Sequence, residues 1–371
     1  MSGFSFNTTI HSKQYDYTVR TMNFDSIHRI VINLNDRDRV ISTREIDYNP
    51  ELTDEKLMEL VKRHHEERVV SLQELMKISA KLESKPDVDS NYKLGLVFLS
   101  SGLAKETIGE FKRALALDPN NAPILNHLGL ALLLEDKTAD ALKVFERTVS
   151  LKPNYPDVHN NYGLALLKAE RYDQALQEFE QALSLNGRYA EAHFNLSLCL
   201  VSKAVTDSGL APEARDQINA HLAEAAQHNL MFNNEYFKVA QNYLAKDQYA
   251  EARQAMLESK SAVMSDAGSE VYHEFYLRLK YGEEGVDRKS TEHYIAKLED
   301  ILEKHPQYVD IHNDLGVAYL IQCRFLFNRA INEFKRALAI NPNYSQAKKN
   351  LKLSENEGKG FLILLRAILY F

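Results

Sequence analysis

Val88-Asp89-Ser90-Asn91-Tyr92-Lys93-Leu94-Gly95-Leu96-Val97-Phe98 opens a pattern that returns every 34 residues. Leu94-Gly95 is followed by Phe111 and Pro119, Leu128-Gly129 by Phe145 and Pro153, and Tyr162-Gly163 by Phe179, with the phenylalanine 16 residues after the glycine each time. A period of this length in helix-forming sequence accommodates two antiparallel helices and their turns. Neither helix can bury its apolar side alone, so successive units stack and the product is a long surface, not a catalytic pocket.

The alternation of small and large residues has a packing reason. Glycine on the first helix faces alanine on the second, so the axes approach to about 8–10 Å while phenylalanine and leucine fill the space beside them. Proline then stops the second helix, as in Asp118-Pro119-Asn120, Lys152-Pro153-Asn154 and Asn341-Pro342-Asn343. Carried along the chain, the phrase marks seven units, from Val88, Ala122, Pro156, Ala190, Asn233, Ala267 and Val309, with a cap helix over 345–353. The fourth and sixth units carry surplus residues near Thr206–Pro212 and Gly282–Lys289, and the seventh is two residues longer than standard. In that seventh unit Leu315, Gly316 and Tyr319 are expected on one helix, and Ala330, Phe334 and Ala337 on a second.

These positions resemble the tetratricopeptide repeat family over about residues 88–353. The first unit matches through Leu94, Gly95, Phe98, Phe111, Ala114 and Pro119; the second through Leu128, Gly129, Leu132, Ala141, Phe145 and Pro153; the third through Tyr162, Gly163, Leu166, Ala175, Phe179 and Ala182. The resemblance implies a mainly α fold: an α-solenoid of helix-turn-helix units in a right-handed superhelix that binds protein or peptide segments on its concave face. The family's frequent tryptophan at the fourth position is absent; that site holds Asn91, Leu125, His159, His193, Tyr236 and His312. Neighbouring units stand about 10 Å apart, too far for two of these histidines to share an ion at about 2 Å, so a packed ring is expected rather than a metal ligand.

Mapped onto the family's inward-facing positions, the ninth residues form a leucine row, Leu96, Leu130, Leu164 and Leu198, with Val317 in the last unit. Leu133 and Leu167 follow on the same side of their helices. Beside them runs an amide track of Asn126, Asn160 and Asn313 at the fifth position and Asn161 and Asn195 at the sixth. Leucines so placed suit an amphipathic or extended partner segment, or else close the seam between neighbouring first helices. Carboxamides both donate and accept, so the track can hold a peptide backbone or satisfy local backbone groups. The family's clamp for a C-terminal carboxylate is not reproduced, because its sites here read Tyr92, Leu96, His127, Asp157 and Asn161.

The head, residues 1–87, follows another period. Tyr15, Tyr17, Val19 and Thr21 alternate, His28–Leu34 is rich in β-branched residues, and Val40–Tyr48 alternates after the turn Asn35-Asp36-Arg37-Asp38. A small antiparallel β-meander is predicted, covered by one long helix from the N-cap Thr53 to about Leu82. His64-His65-Glu66-Glu67 lacks the second histidine of a zinc-protease helix, since Val69 stands there, and reads as solvated helix face.

Fifty-two acids against 45 bases, net −7 and spread along the length, argue against a phosphate-tracking surface and so against nucleic acid as the main ligand. Two distant cysteines, Cys199 and Cys323, supply no disulfide framework and fit a reducing cytoplasm. No phosphate loop, dinucleotide fingerprint or nucleophile elbow occurs, so neither a cofactor nor catalysis is expected. The segment 354–371 ends in the apolar run Phe361–Phe371, shorter than the roughly 20 residues of a transmembrane span. That tail is expected to fold back over the last repeat; the alternatives are a groove in its own or a second copy, or a membrane interface. The sequence reads as a scaffold or adaptor for protein segments; the alternative is a regulatory or substrate-recruiting subunit of an enzyme encoded elsewhere.

Overall fold

Alternating side chains in the head produce four antiparallel strands: β1 (Ser5–His11), β2 (Asp16–Phe24), β3 (Arg29–Asp36) and β4 (Arg39–Asp47), in the order β1-β2-β3-β4. The computed structural model describes residues 3–206, 212–264, 269–281, 288–304, 306, 309–355 and 360. Register pairs Val19 with Thr8 and with Leu34, which sends Ile10, Tyr17, Val19, Thr21, Ile32 and Leu34 to one buried face. The sheet contains one strand more than predicted, because β1 is too polar for its alternation to stand out.

Helix α1 (Asp54–Ser84) starts at the expected N-cap, with the Leu57 amide bonded to the Thr53 carbonyl at 2.9 Å. It corrects the reading of His65 as solvated. His65 is buried, its Nε2 2.8 Å from the Thr8 hydroxyl and its Nδ1 3.0 Å from that of Thr21. The imidazole thus joins helix to sheet, and burial lowers its pKa.

The array follows as paired helices: α2 (Val88–Ser100) with α3 (Ala104–Leu117), α4 (Ala122–Leu134) with α5 (Thr138–Leu151), α6 (Pro156–Lys168) with α7 (Tyr172–Leu185), and α8 (Ala190–Thr206) with α9 (Pro212–His228). Each glycine of the phrase lies under the ring of its phenylalanine. A Cβ on Gly163 would stand 2.6 Å from Phe179, and one on Gly95 or Gly129 would overlap Phe111 or Phe145 outright. The turns within pairs use a left-handed residue, Gly102 (φ 79), Asp136 (φ 56) and Glu170 (φ 57). The carbonyl of Ile41 on β4 closes over Gly102, and Tyr17 donates to Glu106 at 3.5 Å, so the sheet is seated on the first pair.

The fifth pair, α10 (Glu235–Leu244) and α11 (Tyr249–Met264), departs from the expected stacking. Second helices α3, α5 and α7 each pack on the next first helix, but here it is α11 that lies against α8. The cause is a 3-10 turn, Leu230–Phe232, whose buried Phe232 stacks on Phe194 at 4.6 Å and fills the place beside α8 and α9.

The chain divides into two compact units, the first comprising Met1–Val70 and Leu82–Ala267, the second Ser71–Lys81 and Gly268–Phe371. In the second, α12 (Ser269–Tyr281) binds the 71–81 turns of α1 through Ser71 to Glu274 (2.7 Å) and Arg278 to Glu74 (3.1 Å). There α13 (Arg288–Lys304) packs on α14, and α15 follows over 345–355. α14 is one unbroken helix, Val309–Ile340, where the sequence predicted a hairpin. The position that is left-handed in the earlier turns is Cys323, within Gln322-Cys323-Arg324, and here it continues the helix. Gly316 therefore faces nothing within 4 Å, and Phe334 never folds back onto it. The expected fold-back or self-association of the apolar tail falls outside the described residues.

Candidate functional site

The first helices α4, α6 and α8 bring the predicted asparagines side by side. Their carboxamides form a single directed chain. The Lys260 ammonium, on α11, donates to Asn195 Oδ1 at 2.8 Å. Asn195 Nδ2 donates to Asn160 Oδ1 at 2.8 Å, and Asn160 Nδ2 to Asn161 Oδ1 at 3.3 Å. Asn161 Nδ2 then donates to Asn126 Oδ1 at 3.1 Å, and Asn126 Nδ2 to Asp157 Oδ2 at 3.3 Å.

The two ends dictate every amide orientation between them. An ammonium only donates and a carboxylate only accepts, so turning any one carboxamide would set donor against donor and acceptor against acceptor. Asn126, Asn160 and Asn195 are buried, whereas Asn161, Asp157 and Lys260 keep part of their surface in solvent. The row is therefore first a structural seam, and its accessible part is narrower than the sequence implied.

The leucine row is likewise half enclosed. Leu96, Leu130 and Leu133 pack against the cluster around Phe111 and Phe145, and Leu164 and Leu167 against that around Phe179. Leu198 is 2% exposed and belongs to the core between α8 and α11. Asn313 and Val317 stand on α14 in the second unit, where Asn313 is exposed beside Asp314.

Histidines at the fourth repeat position share one contact. His159 Nε2 donates to the Pro153 carbonyl (2.8 Å), His193 Nε2 to that of Gly187 (3.1 Å) and His312 Nε2 to that of Pro306 (3.0 Å). The free nitrogen of His159 meets Glu178 at 2.6 Å, and that of His193 meets His221 Nδ1 at 2.8 Å. Burial, then the neighbouring His193, lowers the His221 pKa. Among the described residues no group of three or more such side chains is placed to share a metal ion.

Sequence reasoning missed Lys260. Nothing in Glu258-Ser259-Lys260-Ser261 distinguishes it, and its partner Asn195 is 65 residues away across the reversed fifth pair. Burial drags its ammonium down to about 8, opposed by the field of Glu191.

The tetratricopeptide repeat family matches residues 110–143, from α3 into α5, and residues 156–189, which are α6, α7 and the turn after them. The chain carries tetratricopeptide repeats over these residues. No curated protein matches it. Solved structures of similar fold include MamA, 20% identical, covering 45% of this chain and 93% of its own with a TM-score of 0.34. YrrB, described as a tetratricopeptide-repeat protein with an unusual peptide-binding site, is 20% identical over 51% of this chain and 93% of its own, TM-score 0.34. A thermophilic tetratricopeptide-repeat protein of Thermus thermophilus, TTC0263, is 19% identical over 63% of this chain and all of its own, TM-score 0.36. Among the described residues, no helix is long and apolar enough to cross a membrane.

Proposed function

We propose that this protein is a scaffold that binds protein or peptide segments along the face built by α2, α4, α6 and α8. The observation that carries this reading is the coincidence, on one set of first helices, of half-buried leucines at constant spacing with a directed row of amides. Leu96, Leu130 and Leu164 offer apolar contact beside Asn161, whose carboxamide retains one further donor and acceptor for a partner backbone. The two free cysteines, one buried and one exposed, favour a reducing cytoplasm as its location.

A displayed library of short random peptides tests this directly. Wild-type protein should retain a reproducible set, and Leu130→Glu with Leu164→Glu should lose it while helicity by circular dichroism persists. Retention of the same set by the double variant would move recognition elsewhere on the molecule.

A further inference from the structure

The amide row ends in a cation without a counter-ion. The hydrogen bond to Asn195 is the one polar contact of the Lys260 ammonium among the described residues, and it forms no ion pair there. Glu191, on the same helix as Asn195, influences Lys260 through its field but is bonded instead to Asn229 Nδ2 at 3.5 Å. An ammonium has three N–H groups, so two remain for a ligand. Removing such a cation from water without a carboxylate partner is costly, and a fold that retains one has either a structural or a recognition use for it.

The structural use is slight. Asn195 could be satisfied by another amide, as Asn126, Asn160 and Asn161 are, and a lysine is not required to continue the row. At the opposite end Asp157, in the first turn of α6, accepts from Asn126 and likewise forms no ion pair among the described residues. All amide oxygens point toward Lys260 and all amide nitrogens toward Asp157. The row therefore presents a positive and a negative end.

We propose that Lys260 is the receptor for a carboxylate of the bound segment, so that this face selects acidic peptides and sets their direction. The inference rests on the scaffold reading above and names the chemistry of its partner. A single ammonium beside the Glu191 field suits a singly charged group; a phosphate dianion would meet the same lysine and a stronger repulsion. The reversed fifth pair makes the site, because α11, a second helix, delivers the lysine against α8. Its place is therefore unrelated to the first-helix positions of the family's carboxylate clamp, which here read Tyr92, Leu96, His127, Asp157 and Asn161.

Acetate is the probe for the site and random peptides for the partner, both with the full chain. With lysine ε-carbons labelled for NMR, the signal lost in Lys260→Met belongs to Lys260. Its midpoint near pH 8 in chloride should rise by about one unit in acetate at equal ionic strength, as expected when an anion joins the ammonium. An unmoved midpoint overturns the proposal.

Peptides displayed with free and with amidated C-termini form the second arm. Bound sequences should be enriched in aspartate and glutamate if side chains supply the carboxylate, or in free termini if the chain end does. Lys260→Met should weaken these peptides about 10-fold, the worth of one charge-assisted hydrogen bond. Acid preference that survives in Lys260→Met overturns the proposal. Wild-type binding with no acid preference overturns it too and leaves the scaffold reading intact, whereas no peptide binding at all removes the scaffold reading and leaves the acetate result to decide the site.

Discussion

Gly102 lies beneath the carbonyl of Ile41, so closely that a single added methyl group would overlap it. The glycine ends α2 in a left-handed conformation, φ 79, while Ile41 belongs to the edge strand β4. The equivalent turns hold Asp136 and Glu170 at φ 56 and 57, so the left-handed turn by itself does not demand glycine. Close approach of the β-sheet does. Gly102→Ala should lower stability by about 1–3 kcal/mol and speed hydrogen exchange in β3 and β4 more than in α6 and α7. Equal exchange changes in both regions would show that the sheet is not held at this point.

Gly129 and Gly316 occupy the same place in their repeats and should respond oppositely to one methyl group. At Gly129 the methyl would overlap Phe145, fully buried, and overpacking of this kind costs about 1–3 kcal/mol. At Gly316, exposed within α14, nothing stands within 4 Å, and alanine should stabilise the helix by about 0.5–1 kcal/mol. Urea denaturation of both variants checks this. A loss at Gly316 equal to that at Gly129 would mean that Phe334 does fold back as the sequence phase suggested.

That contrast shows what was legible in the sequence. The pairs from α2 to α7 were readable because the contacts that make them, Gly95 with Phe111 or Gly163 with Phe179, lie 16 residues apart and recur. The sheet was readable where Tyr17, Val19 and Thr21 alternate, but Ser5–His11 carries only Phe6 and Ile10 against threonines, and β1 went unseen. The sequence predicts a hairpin in α14 because phase is set by apolar spacing, and spacing alone does not say whether Gln322-Cys323-Arg324 turns, as Ala169-Glu170-Arg171 does, or stays helical. The asparagines were found by repeat position, yet their partners were not. Whether a carboxamide faces a ligand or another carboxamide depends on distances between units, and the wedge of Phe232 that brings Lys260 to Asn195 has no local pattern.

Three histidines make stability depend on pH. Burial lowers the pKa of His65, of His127 and, with help from His193, of His221. The unfolded chain protonates these rings near the ordinary value of about 6.5, and the folded protein only at lower pH. Below that value the unfolded state binds more protons, so stability present at neutral pH is lost as pH falls from about 6.5 through the lowered values. Urea midpoints at about pH 7.5 and 5.5 should differ accordingly, and His65→Gln should reduce the difference. A midpoint independent of pH over this range would refute the assignment.

The directed amide row yields the last expectation. Asn160→Ala removes the acceptor of Asn195 and the donor to Asn161 together. Asn195, 1% exposed, then keeps a buried Nδ2 that has lost its acceptor. Each such buried group costs about 1–3 kcal/mol. Asp157→Asn is a milder cut, because an asparagine at that end can still accept from Asn126 through its carbonyl oxygen. The two losses should therefore rank Asn160→Ala above Asp157→Asn in chemical denaturation, and only the first should move the Lys260 midpoint, since it frees Asn195 to turn. A larger loss from Asp157→Asn would mean that the charge at the helix start, and not the continuity of the row, is what holds α4, α6 and α8 in line.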